Sequence, residues 1–151
     1  MHQARSRAVR SHRARNLAAL ALAAVIAVGA LVAPMALARG SKTVVGEAQA
    51  PSLHKTVLTN TKGLTLYSLS VEKNGKFICT GSCTKTWFPL LVARGTKLAG
   101  PVKLGTIKRP EGKMQVTFKG LPLYTFDGDS AKGQANGEGF KDVGTWHAAT
   151  P

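Results

Sequence analysis

The sequence predicts a small, mainly β single domain made of two pseudo-repeats of β-hairpins with long loops, preceded by an N-terminal export signal helix. Two observations predict this fold: an internal repeat, and short runs of strand-forming residues between turn residues. The segment Lys62–Leu69 (KGLTLYSL) returns 57 positions later as Lys119–Phe126 (KGLPLYTF), with five identities. Self-similarity of this kind indicates a duplicated structural unit.

A tryptophan follows each copy of the repeat. Trp87 lies 20 residues after Tyr67, and Trp146 lies 22 residues after Tyr124. A unit this short seldom buries its apolar face alone, so we expect the two units to pair around a shared core. The predicted core side chains are Val57, Leu66, Trp87, Val116, Leu123 and Trp146.

Residues 1–38 have the pattern of an export signal. Residues 1–16 carry arginines and no acid, residues 17–32 are apolar, and Ala36–Ala38 is a small-residue cleavage site. The alternative is an uncleaved membrane anchor, because residues 17–37 approach the about 20 apolar residues of a spanning helix. The cleavage site favours removal. We therefore expect a secreted or extracytoplasmic protein, which is membrane-anchored if the signal stays in place.

The segment 39–52 is rich in small and polar residues and contains Pro51, which predicts a flexible tether. The folded domain is then expected at 53–151. Its two repeats are expected at about 53–100 and 106–151.

Two hairpins are predicted within this domain. Lys55–Thr59 and Gly63–Leu69 are short runs rich in Val, Leu and Thr, separated by turn residues. Lys113–Phe118 and Leu121–Phe126 form the second pair. Gly120 lies between them and can adopt the positive φ of a tight turn.

Cys79 and Cys83 are the two cysteines of the chain. Export to an oxidising compartment predicts that they form a disulfide. If they stay reduced, two thiolates at this spacing could bind copper or zinc, and an exposed bridge could be redox-active. The metal site lacks further ligands, because nothing in the sequence places His54 or His147 beside the thiols. We therefore expect a structural disulfide, no metal and no cofactor.

The exported part of the chain is basic. Residues 39–151 contain 16 basic and 7 acidic residues, a formal charge of +9. Such a charge favours an anionic envelope polymer or lipid surface as partner, whereas no nucleic-acid-binding module is recognisable. Only Lys108 and Arg109 are adjacent, so a dispersed, solubilising surface is the favoured interpretation of the lysines.

No motif indicates catalysis. Asp127 and Asp129 begin like a calcium loop, but Ala131 and Lys132 occupy the positions of the next ligand and the glycine. A Gly-x-Ser-x-Gly nucleophile motif is also absent from the sequence. We therefore expect no catalytic residues and no enzyme activity.

Tyr124, Phe126 and Asp129 have the spacing Tyr-x-aromatic-x-x-Asp. This motif resembles that of a bacterial family of predicted lipoproteins and secreted repeat proteins of unknown function. The resemblance spans about 53–151 and extends to further residues of the chain. These are Tyr67, Cys79, Cys83, the segment 87–90 and the segment 146–148.

The first copy departs from the motif, because Leu69 and Glu72 stand where an aromatic residue and Asp are expected. If the motif binds a ligand, this copy is expected to be degenerate. No cysteine lies near the predicted cleavage site, so the lipoprotein label does not transfer. In the second copy, Asp129 is expected to accept turn N–H groups or the tyrosine hydroxyl.

We therefore predict an exported, non-catalytic cell-envelope or extracellular module with a binding or structural role. The alternative is a redox or metal-handling protein that uses Cys79 and Cys83.

Overall fold

The computed structural model describes residues 40–73 and 75–151, so the predicted signal at 1–38 lies outside the described residues. The described part contains twelve short strands and two 3-10 helices, at Pro51–Leu53 and Gly81–Lys85. The strands are β1 (Lys42–Thr43), β2 (Gly46–Ala50), β3 (Lys55–Thr59), β4 (Tyr67–Leu69), β5 (Trp87–Pro89), β6 (Leu91–Val92), β7 (Leu98–Ala99), β8 (Leu104–Lys108), β9 (Met114–Phe118), β10 (Leu121–Pro122), β11 (Tyr124–Phe126) and β12 (Trp146–Ala148).

These strands form four small sheets. The central sheet has the order β12-β4-β11-β5, with antiparallel neighbours throughout. A second sheet has the order β10-β9-β6, and β8 pairs with β9 in addition. Two pairs complete the domain, β2 with β3 antiparallel and β1 with β7 parallel. The prediction of a small, mainly β domain is confirmed.

The pairing pattern shows the internal repeat in three dimensions. The β2–β3 hairpin sets Gly46 opposite Thr59, and the β8–β9 hairpin sets Gly105 opposite Thr117. In the same way β4 corresponds to β11, and β5 corresponds to β12. The order of the central sheet therefore alternates between strands of the two repeats, which are interleaved.

Two hydrophobic cores lie within the domain. One is rich in aromatic residues and contains Tyr67, Trp87, Tyr124 and Trp146, and the other is largely aliphatic. Leu66 packs into the aliphatic core although its neighbour Tyr67 packs into the aromatic one, because successive side chains of an extended chain point to opposite faces. All six core side chains named from the sequence are buried.

The predicted tether at 39–52 is wrong from Lys42 onward. Strand β2 pairs with β3 along its whole length, and both Val45 and Ala50 are fully buried. Along β2, Ala48 and Ala50 are buried while Glu47 and Gln49 are exposed. This is the period-two pattern of a half-buried strand, although its inward side chains are small. The first repeat therefore begins before residue 53.

The second predicted hairpin forms as expected. Leu121 lies opposite Phe118, and the turn residues Lys119 and Gly120 have φ values of 50° and 78°. Positive φ at both turn positions is the mark of a type I′ turn, which matches the twist of the flanking strands. In the first repeat, β3 and the following segment join only through a bridge between Thr59 and Thr65.

Candidate functional site

The centre of the aromatic core is a tryptophan stack contributed by both repeats. The rings of Trp87 and Trp146 are nearly parallel, with 6° between their planes and 3.8 Å between their centroids. Tyr67 meets Trp87 edge-on at 5.4 Å, and Tyr124 meets Trp146 edge-on at 5.1 Å. These are favourable aromatic geometries, so the four rings join the two repeats at their interface.

Each motif tyrosine is hydrogen-bonded to the acid of the other repeat. The Tyr67 hydroxyl donates to Asp129 Oδ2 at 2.5 Å, and the Tyr124 hydroxyl donates to Glu72 Oε2 at 2.8 Å. The cause is the antiparallel pairing of β4 with β11, which sets the two tyrosines opposite one another. The two copies of the motif therefore complete each other, and we call these contacts the crossed Tyr–acid pairs.

Both acids also fix the loop that follows them. Glu72 Oε1 accepts the N–H groups of Ile78 and Cys79, each at 2.7 Å. Asp129 Oδ1 accepts the N–H of Asn136 at 2.9 Å. Glu72 thus accepts hydrogen bonds from a tyrosine hydroxyl and from loop N–H groups, as Asp129 does. A glutamate in place of the aspartate therefore keeps the structural role of this motif position.

Arg109 is a buried residue that the sequence did not single out except as part of a surface charge pair. Its Nη1 donates to Gln115 Oε1 at 2.6 Å and to the Tyr124 hydroxyl at 3.3 Å, and its Nη2 donates to the Cys79 carbonyl at 2.8 Å. Glu111 forms a salt bridge with Nε at 3.1 Å. Arg109 lies four residues after Gly105, and the residue four positions after the equivalent Gly46 in the first repeat is Ala50. Only one of the crossed pairs therefore has a buried cation beside it.

The buried phenols remain protonated. Burial raises the pKa of Tyr67 far above its ordinary value, and Asp129 raises it further. Burial likewise raises the pKa of Tyr124, with Glu72 adding to the effect. Burial lowers the pKa of Arg109, but its hydrogen bonds with Glu111 and Tyr124 outweigh this and raise it. Both tyrosines are therefore fixed hydrogen-bond donors, which suits a structural role.

The two cysteines are bonded in the loop that Glu72 holds. Their sulfurs are 1.96 Å apart and their Cα atoms 5.2 Å apart. Cys79 is fully buried, with its N–H on Glu72 and its carbonyl on Arg109. Across residues 40–73 and 75–151, no group of three or more His, Cys, Asp or Glu side chains could hold a metal ion.

Phe126 and Leu69 occupy equivalent positions in the two motifs. Phe126 lies opposite Trp87 across the strands and stacks on its ring, with 4.5 Å between centroids. Leu69 lies opposite Trp146 and is fully buried. The second motif residue is therefore a packing partner of a stacked tryptophan, and Leu can fill that position.

A polar pocket lies beside His147, the exposed middle residue of β12. His147 Nδ1 is 3.0 Å from Glu138 Oε1, while Glu138 Oε2 accepts the N–H of Ala148 at 2.6 Å. These residues line a cavity of about 450 Å³ together with Lys55 and Thr150. The position of His147 in β12 corresponds to that of Phe88 in β5, so this pair is found in one repeat only.

Residues 105–150 match a family model described as a secreted repeat of unknown function. This is the family that the motif predicts. No curated protein and no solved structure matches the chain. Within the part of the chain that the structure describes, no helix has the length and apolar character to cross a membrane.

The matched segment, residues 105–150, contains one partner of each crossed Tyr–acid pair. Tyr124 and Asp129 lie inside it, whereas their partners Glu72 and Tyr67 belong to the first repeat. The Tyr124 hydroxyl and Asp129 Oδ2 of the matched segment therefore contact partners in the first repeat.

Proposed function

We propose that this chain is an exported, non-catalytic module that binds anionic polymer of the cell envelope through its exposed lysines. The observation that carries the proposal is the distribution of charge between interior and surface. Two of the seven acidic residues, Glu72 and Asp129, are buried in the crossed Tyr–acid pairs. Arg109 is buried as well, so among the described residues the surface carries one more net positive charge than the composition alone indicates.

The described lysines also have no acidic partner. Every described lysine is exposed. In residues 40–73 and 75–151, the salt bridges join Arg109 to Glu111 and His147 to Glu138, and neither involves a lysine. Unpaired ammonium groups attract a polyanion over a distance set by ionic strength, and they bind it without first breaking an internal ion pair.

The hydrogen bonding of the buried polar groups supports a binding role over a catalytic one. The two buried tyrosines and the two buried acids are hydrogen-bonded to one another, and both phenols stay protonated. The crossed Tyr–acid pairs and the tryptophan stack hold the repeats in a single arrangement, which presents the lysines on a fixed scaffold.

The test is a titration of the exported protein with dextran sulfate and with uncharged dextran of the same length. We expect binding to dextran sulfate only, with an affinity that falls steeply between 50 and 200 mM salt, roughly as expected for release of counterions. Replacing Lys55, Lys113 and Lys141 by Gln should weaken binding. The same three positions changed to Arg keep the charge and should bind at least as tightly.

Equal binding to the two dextrans, or no binding at the lowest salt concentration, would overturn the proposal. Weakening by the Arg variant as much as by the Gln variant would assign the effect to side-chain shape instead of charge.

A further inference from the structure

A surface groove lies where the second hairpin of the second repeat turns. It has a volume of about 450 Å³, within the range of pockets that hold one small ligand. Its lining residues are Lys103, Leu104, Gly105, Thr117, Phe118, Lys119 and Gly120.

Gly105 and Thr117 line the groove as a cross-strand pair of β8 and β9. A Cβ on Gly105 would lie 2.8 Å from Thr117 Oγ1, so a larger residue at position 105 would clash with the threonine. Leu104 and Phe118, the next pair along the two strands, provide the apolar surface of the groove.

Cations surround this apolar surface. Lys103 and Lys119 are exposed at its rim, and Lys119 Nζ lies 4.6 Å from the centroid of the Phe118 ring. A second cavity of about 200 Å³ shares Lys119 and brings in Lys73. No lining residue of either cavity is acidic. The site therefore combines an apolar slot with unopposed positive charge.

The equivalent position in the first repeat has a different chemistry. There Gly46 lies opposite Thr59, and the cavity is lined by polar residues that include Glu47 and Asn60. Asn60 follows Thr59 as Phe118 follows Thr117, so an amide replaces the aromatic wall. The combination of apolar walls, lysines and no acidic residue is thus specific to the groove of the second repeat.

We infer that this groove binds a single-chain fatty-acid carboxylate, with the alkyl chain on Leu104 and Phe118 and the carboxylate on Lys103 and Lys119. An alkyl chain fits an apolar surface, and an anionic head group fits a rim with cations and no acid. This ligand class is separate from the polymer of the proposed function, because the polymer requires no apolar contact.

The test is calorimetric titration of the exported protein with saturated fatty-acid anions of 8 to 14 carbons, each below its micelle concentration. Burial of each added methylene should strengthen binding about fourfold until the groove is filled. The alcohol of equal chain length should bind more weakly, because it lacks the charge.

Two double variants locate the site. Lys103→Gln with Lys119→Gln should weaken binding at least about fivefold, as expected for the loss of two surface ion pairs. The matched control, Lys62→Gln with Lys132→Gln, removes the same charge beside the equivalent groove of the first repeat. It should stay within about twofold of the unmodified protein, as surface substitutions away from a site usually do.

An affinity independent of chain length would overturn the inference, as would equal losses in the two double variants. Binding to vesicles of anionic phospholipid without binding of any free fatty acid would also overturn it, by assigning the lysines to a membrane surface. Near-ultraviolet circular dichroism of the tryptophan stack confirms that each variant is folded.

Discussion

The hydroxyl of Tyr67 in the first repeat donates a 2.5 Å hydrogen bond to Asp129 in the second, and not to the acid of its own motif. The reciprocal bond runs from Tyr124 to Glu72. The motif therefore joins the two repeats, because the tyrosine of each copy is hydrogen-bonded to the acid of the other copy. Four predictions follow from this arrangement and from the residues that surround it.

The crossing can be measured by double-mutant cycles in urea unfolding. Tyr67→Phe combined with Asp129→Asn should show a coupling of about 1–3 kcal/mol, because these side chains are in contact and a buried group is left unpaired. The control cycle combines Tyr67→Phe with Glu72→Gln, which should be additive within about 0.5 kcal/mol. Coupling in the control cycle and additivity in the first would mean that each tyrosine pairs within its own repeat.

Arg109→Met should destabilise the domain by about 2–6 kcal/mol, because the Gln115 amide oxygen and the Cys79 carbonyl are left buried without a donor, at about 1–3 kcal/mol each. Arg109→Lys should recover little of this loss, since one ammonium cannot replace a guanidinium that contacts Gln115, Tyr124 and the Cys79 carbonyl. Arg94→Met, at an exposed arginine, is the control and should change stability by less than about 0.5 kcal/mol. If Arg109→Met lowered the free energy of unfolding no more than Arg94→Met does, Arg109 would be exposed to solvent.

Alkaline pH should unfold the domain as its tyrosines ionise. Burial raises the pKa of both Tyr67 and Tyr124 in the folded state, whereas in the unfolded chain a tyrosine has a pKa of about 10. Their contribution to stability is therefore complete below about pH 10 and is lost above it, because the unfolded state releases its protons first.

Absorbance of tyrosinate and far-ultraviolet circular dichroism, recorded together, check this prediction. The chain has two tyrosines, and neither should ionise before the fold is lost. Ionisation near pH 10 with unchanged circular dichroism would show that the phenols are not held as donors.

Replacing both cysteines by Ala should cost about 2 kcal/mol, the loop-entropy value for so short a span, and should leave the fold intact. The bridge joins residues only four apart, and Glu72 holds the same loop by two further hydrogen bonds. Denaturant unfolding measures the loss. Stoichiometric copper or zinc binding by the reduced protein, with no change in stability, would instead favour the metal-handling alternative for Cys79 and Cys83.

Local patterns were sufficient for some elements and misleading for others. The turn at Lys119 and Gly120 follows from local backbone preference, and so it was predicted correctly. Strand β2 was missed because its inward residues Ala48 and Ala50 are small, and a composition rich in Ala, Gly and Gln resembles that of a linker. Only the partner strand β3 makes this segment part of the domain.

The sequence by itself determined that the domain is mainly β, that its unit is duplicated, and that its two cysteines are the only candidates for a bridge, because periodicity, repetition and residue counts are properties of the chain. Tertiary structure alone decided which acid each tyrosine contacts and that Arg109 is buried. The physical reason is that these contacts join residues far apart along the chain, through the antiparallel pairing of β4 with β11. No local pattern specifies that pairing, since it depends on how the two repeats fit around one core.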